Sequence, residues 1–186
     1  MIDWKQKCQH MNHYNCTAHL YNKRYAEEQT LKIKTGIENI ELNRESSILD
    51  LGCGTGLLLP RIQKTAKNVV GLDISKSMLK EITPHIESSA NIHLILADAD
   101  YTPLRDNYFD AVLAITLLQN MPNPHKTLQE TKRITKPDAS IIVTGLKNHF
   151  TEHSLVKLLK NAKLKTKLLK TNDNLKCYIA ICKNRK

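Results

Sequence analysis

Ile48-Leu49-Asp50-Leu51-Gly52-Cys53-Gly54-Thr55-Gly56 is the stretch on which the fold of this 186-residue chain turns. Apolar residues around one acid run straight into a loop with glycine at every second position. The stretch therefore reads as a buried strand, a tight bend and the start of a helix. In open α/β sheets that bend is where a nucleotide-like ligand lies. A side chain at Gly52, Gly54 or Gly56 would keep the backbone from approaching a ligand or oppose a positive φ. The dinucleotide fingerprint wants glycines at the first, third and sixth places, and the sixth place counted from Gly52 is Leu57. That weakens a nicotinamide-dependent oxidoreductase and leaves Gly-x-Gly-x-Gly preceded by Asp50.

This pattern resembles the first motif of the class I (Rossmann-like) S-adenosylmethionine-dependent methyltransferases. A second element stands at a suitable distance: Val69-Val70-Gly71-Leu72-Asp73 is an apolar run ending in an acid 17 residues after Gly56. A ribose-binding acid is expected about 20 residues beyond such a loop. A carboxylate at Asp73 can accept hydrogen bonds from both ribose hydroxyls, although an acid at a strand end also serves as a helix cap. Ile74-Ser75-Lys76-Ser77-Met78-Leu79 continues the family's second motif, with Ser75 as an N-cap.

The resemblance implies a set of site residues around S-adenosyl-L-methionine as cofactor. Ile74 would face the adenine and Met78 lie near the adenosine, unless Met78 is simply core. Asp98 would accept from the adenine amine while the Ala99 N–H meets a ring nitrogen, with Asp100 as a competitor for the first role. Asp50 would assist at the cofactor's ammonium, and the N–H groups of the loop Gly52, Cys53, Gly54 and Gly56 would lie nearby. Thr116, Leu117 and Gln119, at the carboxyl end of the fourth strand, would line the reaction chamber. Tyr21 and Tyr25 resemble a Tyr-x-x-x-Tyr pattern that closes over the cofactor; a spacing of four puts both rings on one helical face. Asn148 and His149 are candidate substrate-facing residues. The catalytic residues stay unknown: a sulfonium is already a good leaving group, so positioning can suffice without a dedicated base, and His149 is the candidate if a base is used. No metal is implied.

The remaining pattern gives an α/β fold with a doubly wound, seven-stranded, mostly parallel sheet, an antiparallel C-terminal hairpin and helices on both faces. Residues 1–26 read as a lid-like extension and residues 45–182 as the Rossmann-like core of a single methyltransferase domain. A helix is expected over Ala26–Leu42, with apolar positions Leu31, Ile33, Ile37 and Ile40, and another over Leu57–Thr65. Strands are expected at 48–51, 69–73, 92–96, 108–115, 141–144, 164–169 and 177–182. Lys136-Pro137-Asp138-Ala139-Ser140 is read as a turn, and Thr171-Asn172-Asp173-Asn174 as a polar hairpin turn.

Charge and cysteines bound the partners. Lys and Arg total 28 against 18 acids, a net +10, which would attract polyanions or simply keep the chain soluble. Five cysteines at irregular places suggest free thiols in a cytoplasmic protein, not a disulfide framework or zinc site. No apolar run approaches the roughly 20 residues of a membrane helix, and no signal-peptide core is seen at the N-terminus. The chain contains no Pro-Pro, which disfavours base-amino and release-factor-type methylation. A small-molecule acceptor is slightly favoured over RNA or a translation-associated substrate. Two further readings are a catalytically silent cofactor-binding module and pairing of a small zinc-ribbon activator protein with strand three, Ile92–Leu96.

Overall fold

The computed structural model describes residues 2–86, 89–169 and 175–185. Seven strands, β1 (Ser47–Leu51), β2 (Asn68–Asp73), β3 (Ile92–Leu96), β4 (Phe109–Ala114), β5 (Thr135–Leu146), β6 (Lys165–Leu169) and β7 (Cys177–Lys183), form one sheet in the order β3-β2-β1-β4-β5-β7-β6. The first five run parallel, and β7 is antiparallel to both β5 and β6. This is the doubly wound sheet that the sequence predicts. The expected turn at Thr171-Asn172-Asp173-Asn174 lies outside the described residues.

Every residue of β1 is buried, because helices cover the sheet on both sides and a central parallel strand then has no wet face. Alternate residues go to opposite cores. Ile48 packs with Ile33 of α1 (Ile2–Ile37), Leu59 of α2 (Leu59–Ile62) and Ile82 of α3 (Lys76–Ile86). Leu49 packs the other way, in a layer that includes Ile134 of α4 (Pro124–Ile134). On that same face Leu155 and Leu159 of α5 (Glu152–Asn161) pack under β5 and β7. Helix starts follow local chemistry: the Asn123 side chain accepts from the Lys126 N–H beside Pro124, and Thr151 with Ser154 forms a reciprocal capping box.

The N-terminal part departs from expectation. A lid-like piece to residue 26 and a separate helix over 26–42 are replaced by one 36-residue helix, α1. Its inward face carries Lys7, Tyr14, Tyr21 and Lys32, not a run of aliphatic residues, so the usual periodic signal is missing. Leu31, expected in the core, is 38% exposed, whereas Lys32 is 1% exposed. The helix expected over 57–65 is one turn of α-helix followed by a 3-10 turn at Gln63–Thr65, with Pro60 in the first turn where its missing N–H does no harm. Residues 136–139, read as a turn, form an irregularity inside β5: Thr135 pairs with Phe109 and Ser140 with Ala111. Asp138 takes φ +58 there, a left-handed conformation that a short polar side chain tolerates.

Gly56 holds α3 against the glycine loop. Its φ is +75, and a Cβ at this position would lie 2.9 Å from Ile82 Cγ1. Gly56→Ala is expected to lower stability by about 1–3 kcal/mol through backbone strain and overlap, read as a lower urea midpoint.

Candidate functional site

The order of strands reverses between β1 and β4, and a crevice opens at their carboxyl ends. Its main cavity is bounded by Gly52, Gly54, Asp73, Ile74, Met78 and Thr116 among others. The glycine loop forms one wall because the Gly52 and Cys53 N–H groups both donate to the Leu72 carbonyl, at 2.8 and 3.0 Å, tying the loop to β2. Gly52 and Gly54 take φ +78 and +54. A Cβ on Gly54 would meet nothing within 4 Å, so the loop backbone borders open space.

Asp73 ends β2 and faces this space. Its Oδ2 accepts from the Gly54 N–H and its Oδ1 from the Ser75 N–H, both at 2.8 Å. Each oxygen has spent one acceptor site and keeps another. Burial pushes the Asp73 carboxyl above its ordinary value, against the downward pull of those N–H donors. Asp50, at the carboxyl end of β1, is also buried, and no described residue donates a hydrogen bond to it or pairs with its charge. Burial first, and the charge of Asp73 second, push its carboxyl up to about 8. It borders a smaller cavity that shares Gly52, Gly54 and Tyr21 with the main one.

At the other end of the main cavity Asp98 meets a partner that its sequence neighbourhood does not reveal. Lys7 Nζ of α1 sits 2.7 Å from both Asp98 oxygens and 2.5 Å from Asp100 Oδ2. The Asp98 carboxylate, expected to stand open to an amine, is already engaged by an ammonium 91 residues away in the chain. Asp100, the competitor, also accepts from the Thr127 hydroxyl at 2.5 Å.

The other expected residues divide. Ile74, Met78, Ala99, Thr116, Leu117 and Tyr21 all border the main cavity. Cys53 does not present its thiol there: the side chain packs in the core against Gly71, and burial raises its pKa well above the ordinary thiol value. Gly56 borders neither the main cavity nor its small neighbour, because it is turned toward α3. Tyr25, Gln119 and His149 border a second chamber. Asn148 is exposed and borders none of these cavities; the Leu146 carbonyl accepts from the N–H groups of His149 and Phe150, turning the chain so that Asn148 projects outward.

Thr116 links the two large cavities. It holds φ +59, fixed by its N–H donating to Thr144 Oγ1 at 2.7 Å. Its hydroxyl donates to Gln29 Oε1 at 2.9 Å and accepts from Lys32 Nζ at 3.3 Å, while Lys32 pairs with Glu28 at 2.9 Å. Sequence reasoning missed Lys7, Gln29 and Lys32. The available signal was a seven-residue recurrence, Lys7, Tyr14, Tyr21, Glu28, which keeps to one side of a helix.

Comparison with known proteins identifies the family. Residues 49–143 match the family described as a methyltransferase domain. The chain belongs to the class I, Rossmann-like S-adenosylmethionine-dependent methyltransferase family. It is 26% identical over 122 residues to a ubiquinone biosynthesis O-methyltransferase of Hydrogenovibrio crunogenus, covering 64% of this chain and 50% of that one. It is 30% identical over 124 residues to a malonyl-[acyl-carrier protein] O-methyltransferase of Marinomonas, covering 66% and 46%. The chain thus spans about half the length of these curated relatives. Among solved structures, a putative methyltransferase in complex with the Haloferax volcanii Trm112 activator shares the fold, with TM-score 0.79, 14% identity and coverage of 93% and 98%. Among the described residues no helix is long and apolar enough to cross a membrane.

The buried Asp50 sets a pH dependence. In the unfolded chain it ionises near pH 4, whereas in the fold it keeps its proton up to about 8. Across that window the unfolded state holds fewer protons, so stability falls as pH rises and levels off above the folded value. Urea midpoints taken from pH 5 to 9 should fall more steeply for the wild type than for Asp50→Asn.

Proposed function

We propose that this chain is a cytoplasmic, single-domain enzyme that uses S-adenosyl-L-methionine to methylate a small molecule by in-line transfer. The observation that carries the reading is Asp73: a half-buried carboxylate on the cavity wall, held by loop and helix N–H groups, with an acceptor site left on each oxygen. That arrangement suits a ribose diol. Asp50, buried without a cation, suits an ammonium group, which would draw its pKa down and release a proton on binding near neutral pH. Ile74 and Met78 offer apolar surface for an adenine. When bound, the cofactor supplies a methyl group on a cationic sulfur.

The chain's own contribution is positioning and exclusion of water. Met11, Tyr14 and Tyr21 of α1 lie along the cavity and cover it from solvent. Thr116 and Leu117, on the β4 end, stand between the two chambers and the glycine loop. No residue is required as a base. The curated relative named for ubiquinone biosynthesis supports a small-molecule substrate.

A second reading, a translation-associated enzyme with a small zinc-ribbon activator, is favoured by the unpaired outer edge of β3. Leu96 there is 55% exposed, and the similar Haloferax enzyme is bound to an activator.

Asp73→Ala is expected to weaken cofactor affinity at least about tenfold, since two charge-assisted hydrogen bonds are lost. Calorimetric titration measures this, with circular dichroism confirming the fold. Unchanged affinity sinks the proposal. Transfer of a tritiated methyl group to cell extract separates the readings: RNase-resistant small product supports the first, RNase-sensitive label an RNA acceptor, and binding without label a silent module.

A further inference from the structure

The second chamber has a chemistry of its own. Gln119 Nε2 donates to the Thr116 carbonyl, which fixes the amide's orientation, since only the nitrogen end can donate. Gln119 Oε1 is then buried with no partner among the described residues. A buried acceptor left unmet is costly, and this one belongs to a side chain on the chamber wall.

Two donors border the same chamber. Tyr14 accepts from Asn120 Nδ2 at 3.0 Å and Tyr21 from Gln29 Nε2 at 3.3 Å, so both O–H groups remain available. Burial raises the pKa of both, which keeps them neutral and able to donate. Both rings border both large cavities. The complement of one free acceptor and two free donors is a group that gives one hydrogen and offers lone pairs, such as a hydroxyl or an amine. A carboxylate, a thioether or a carbonyl has no hydrogen for Gln119.

The chamber also carries a surplus cation. Lys32 is matched by Glu28, whereas Arg24 has no carboxylate partner among the described residues. A guanidinium pairs with a planar carboxylate through two parallel hydrogen bonds. The stacked edges of Tyr14, Tyr21 and Tyr25 add flat aromatic wall, with centroids 6.3 and 5.1 Å apart.

From these three features we propose that the second chamber is the methyl-acceptor site, and that it takes a small carboxylate-bearing molecule whose nucleophile is a hydroxyl or amine. This rests on the methyltransferase reading. In the step it serves, the nucleophile's lone pair bonds to the methyl carbon, the carbon–sulfur bond breaks with its electron pair left on sulfur, and the nucleophile's proton passes to water.

The test uses 4-hydroxybenzoate, with benzoate and phenol as probes that each lack one group. Calorimetric titration is run with the chain saturated with S-adenosylhomocysteine. 4-Hydroxybenzoate is expected to bind at least about tenfold more tightly than either probe, as loss of a charged or buried hydrogen bond implies. Arg24→Glu, at an exposed position that leaves the fold intact, should abolish the gap to phenol, and Gln119→Leu the gap to benzoate. Equal affinities, no binding by any of the three, or gaps that survive Arg24→Glu overturn the proposal. S-Adenosylhomocysteine titrated alone separates the failures: its binding without probe discrimination removes the acceptor assignment and leaves the cofactor site standing, while its failure to bind removes the methyltransferase reading itself.

Discussion

The bond between the Asp73 carboxylate and the Gly54 amide, 2.8 Å long, is the constraint on which the site depends. It ties the end of β2 to the middle of the loop that follows β1. The same carboxylate accepts from Ser75, at the mouth of α3, so one side chain sets the positions of a strand, a loop and a helix. Because the loop also donates two N–H groups to the Leu72 carbonyl, its shape is fixed from both sides before any ligand arrives. Preorganisation of this kind lowers the ordering cost of binding.

Two acids at neighbouring strand ends, Asp50 buried and Asp73 half-buried, are the electrostatic counterpart. The charge of Asp73 disfavours ionisation of Asp50, and loss of solvent disfavours the ionised form of both. Such a pair is unfavourable on its own, and in the proposed reading a cation and a diol offset that cost. The site thus holds a local instability of the sort that marks binding centres more often than structural ion pairs.

The sheet and the glycine bend were legible because they obey strong local rules. A continuous apolar run at 111–115, and a run at 48–51 broken only by Asp50, mark strands covered on both faces, and glycine at 52, 54 and 56 marks a backbone bend. β3 was readable to the residue. α1 was not, because a helix packed on polar cavity walls buries Lys7 and Lys32 and leaves Leu31 outside, inverting the pattern that periodicity detects. Likewise the ion pair of Lys7 with Asp98 joins residues that no local rule connects. Gly56 and Cys53 show the limit from the other side: their place in the motif is plain, yet the first packs against a helix and the second points into the core.

One long rod therefore roofs two rooms. Tyr14 and Tyr21 of α1 are wall to both chambers, and Lys7 pins the same rod at its far end. Any tilt that widens one room reshapes the other, so occupancy of either compartment and the pose of the rod are a single mechanical variable. In the proposed assignment, cofactor exchange and acceptor admission are coupled through that one helix.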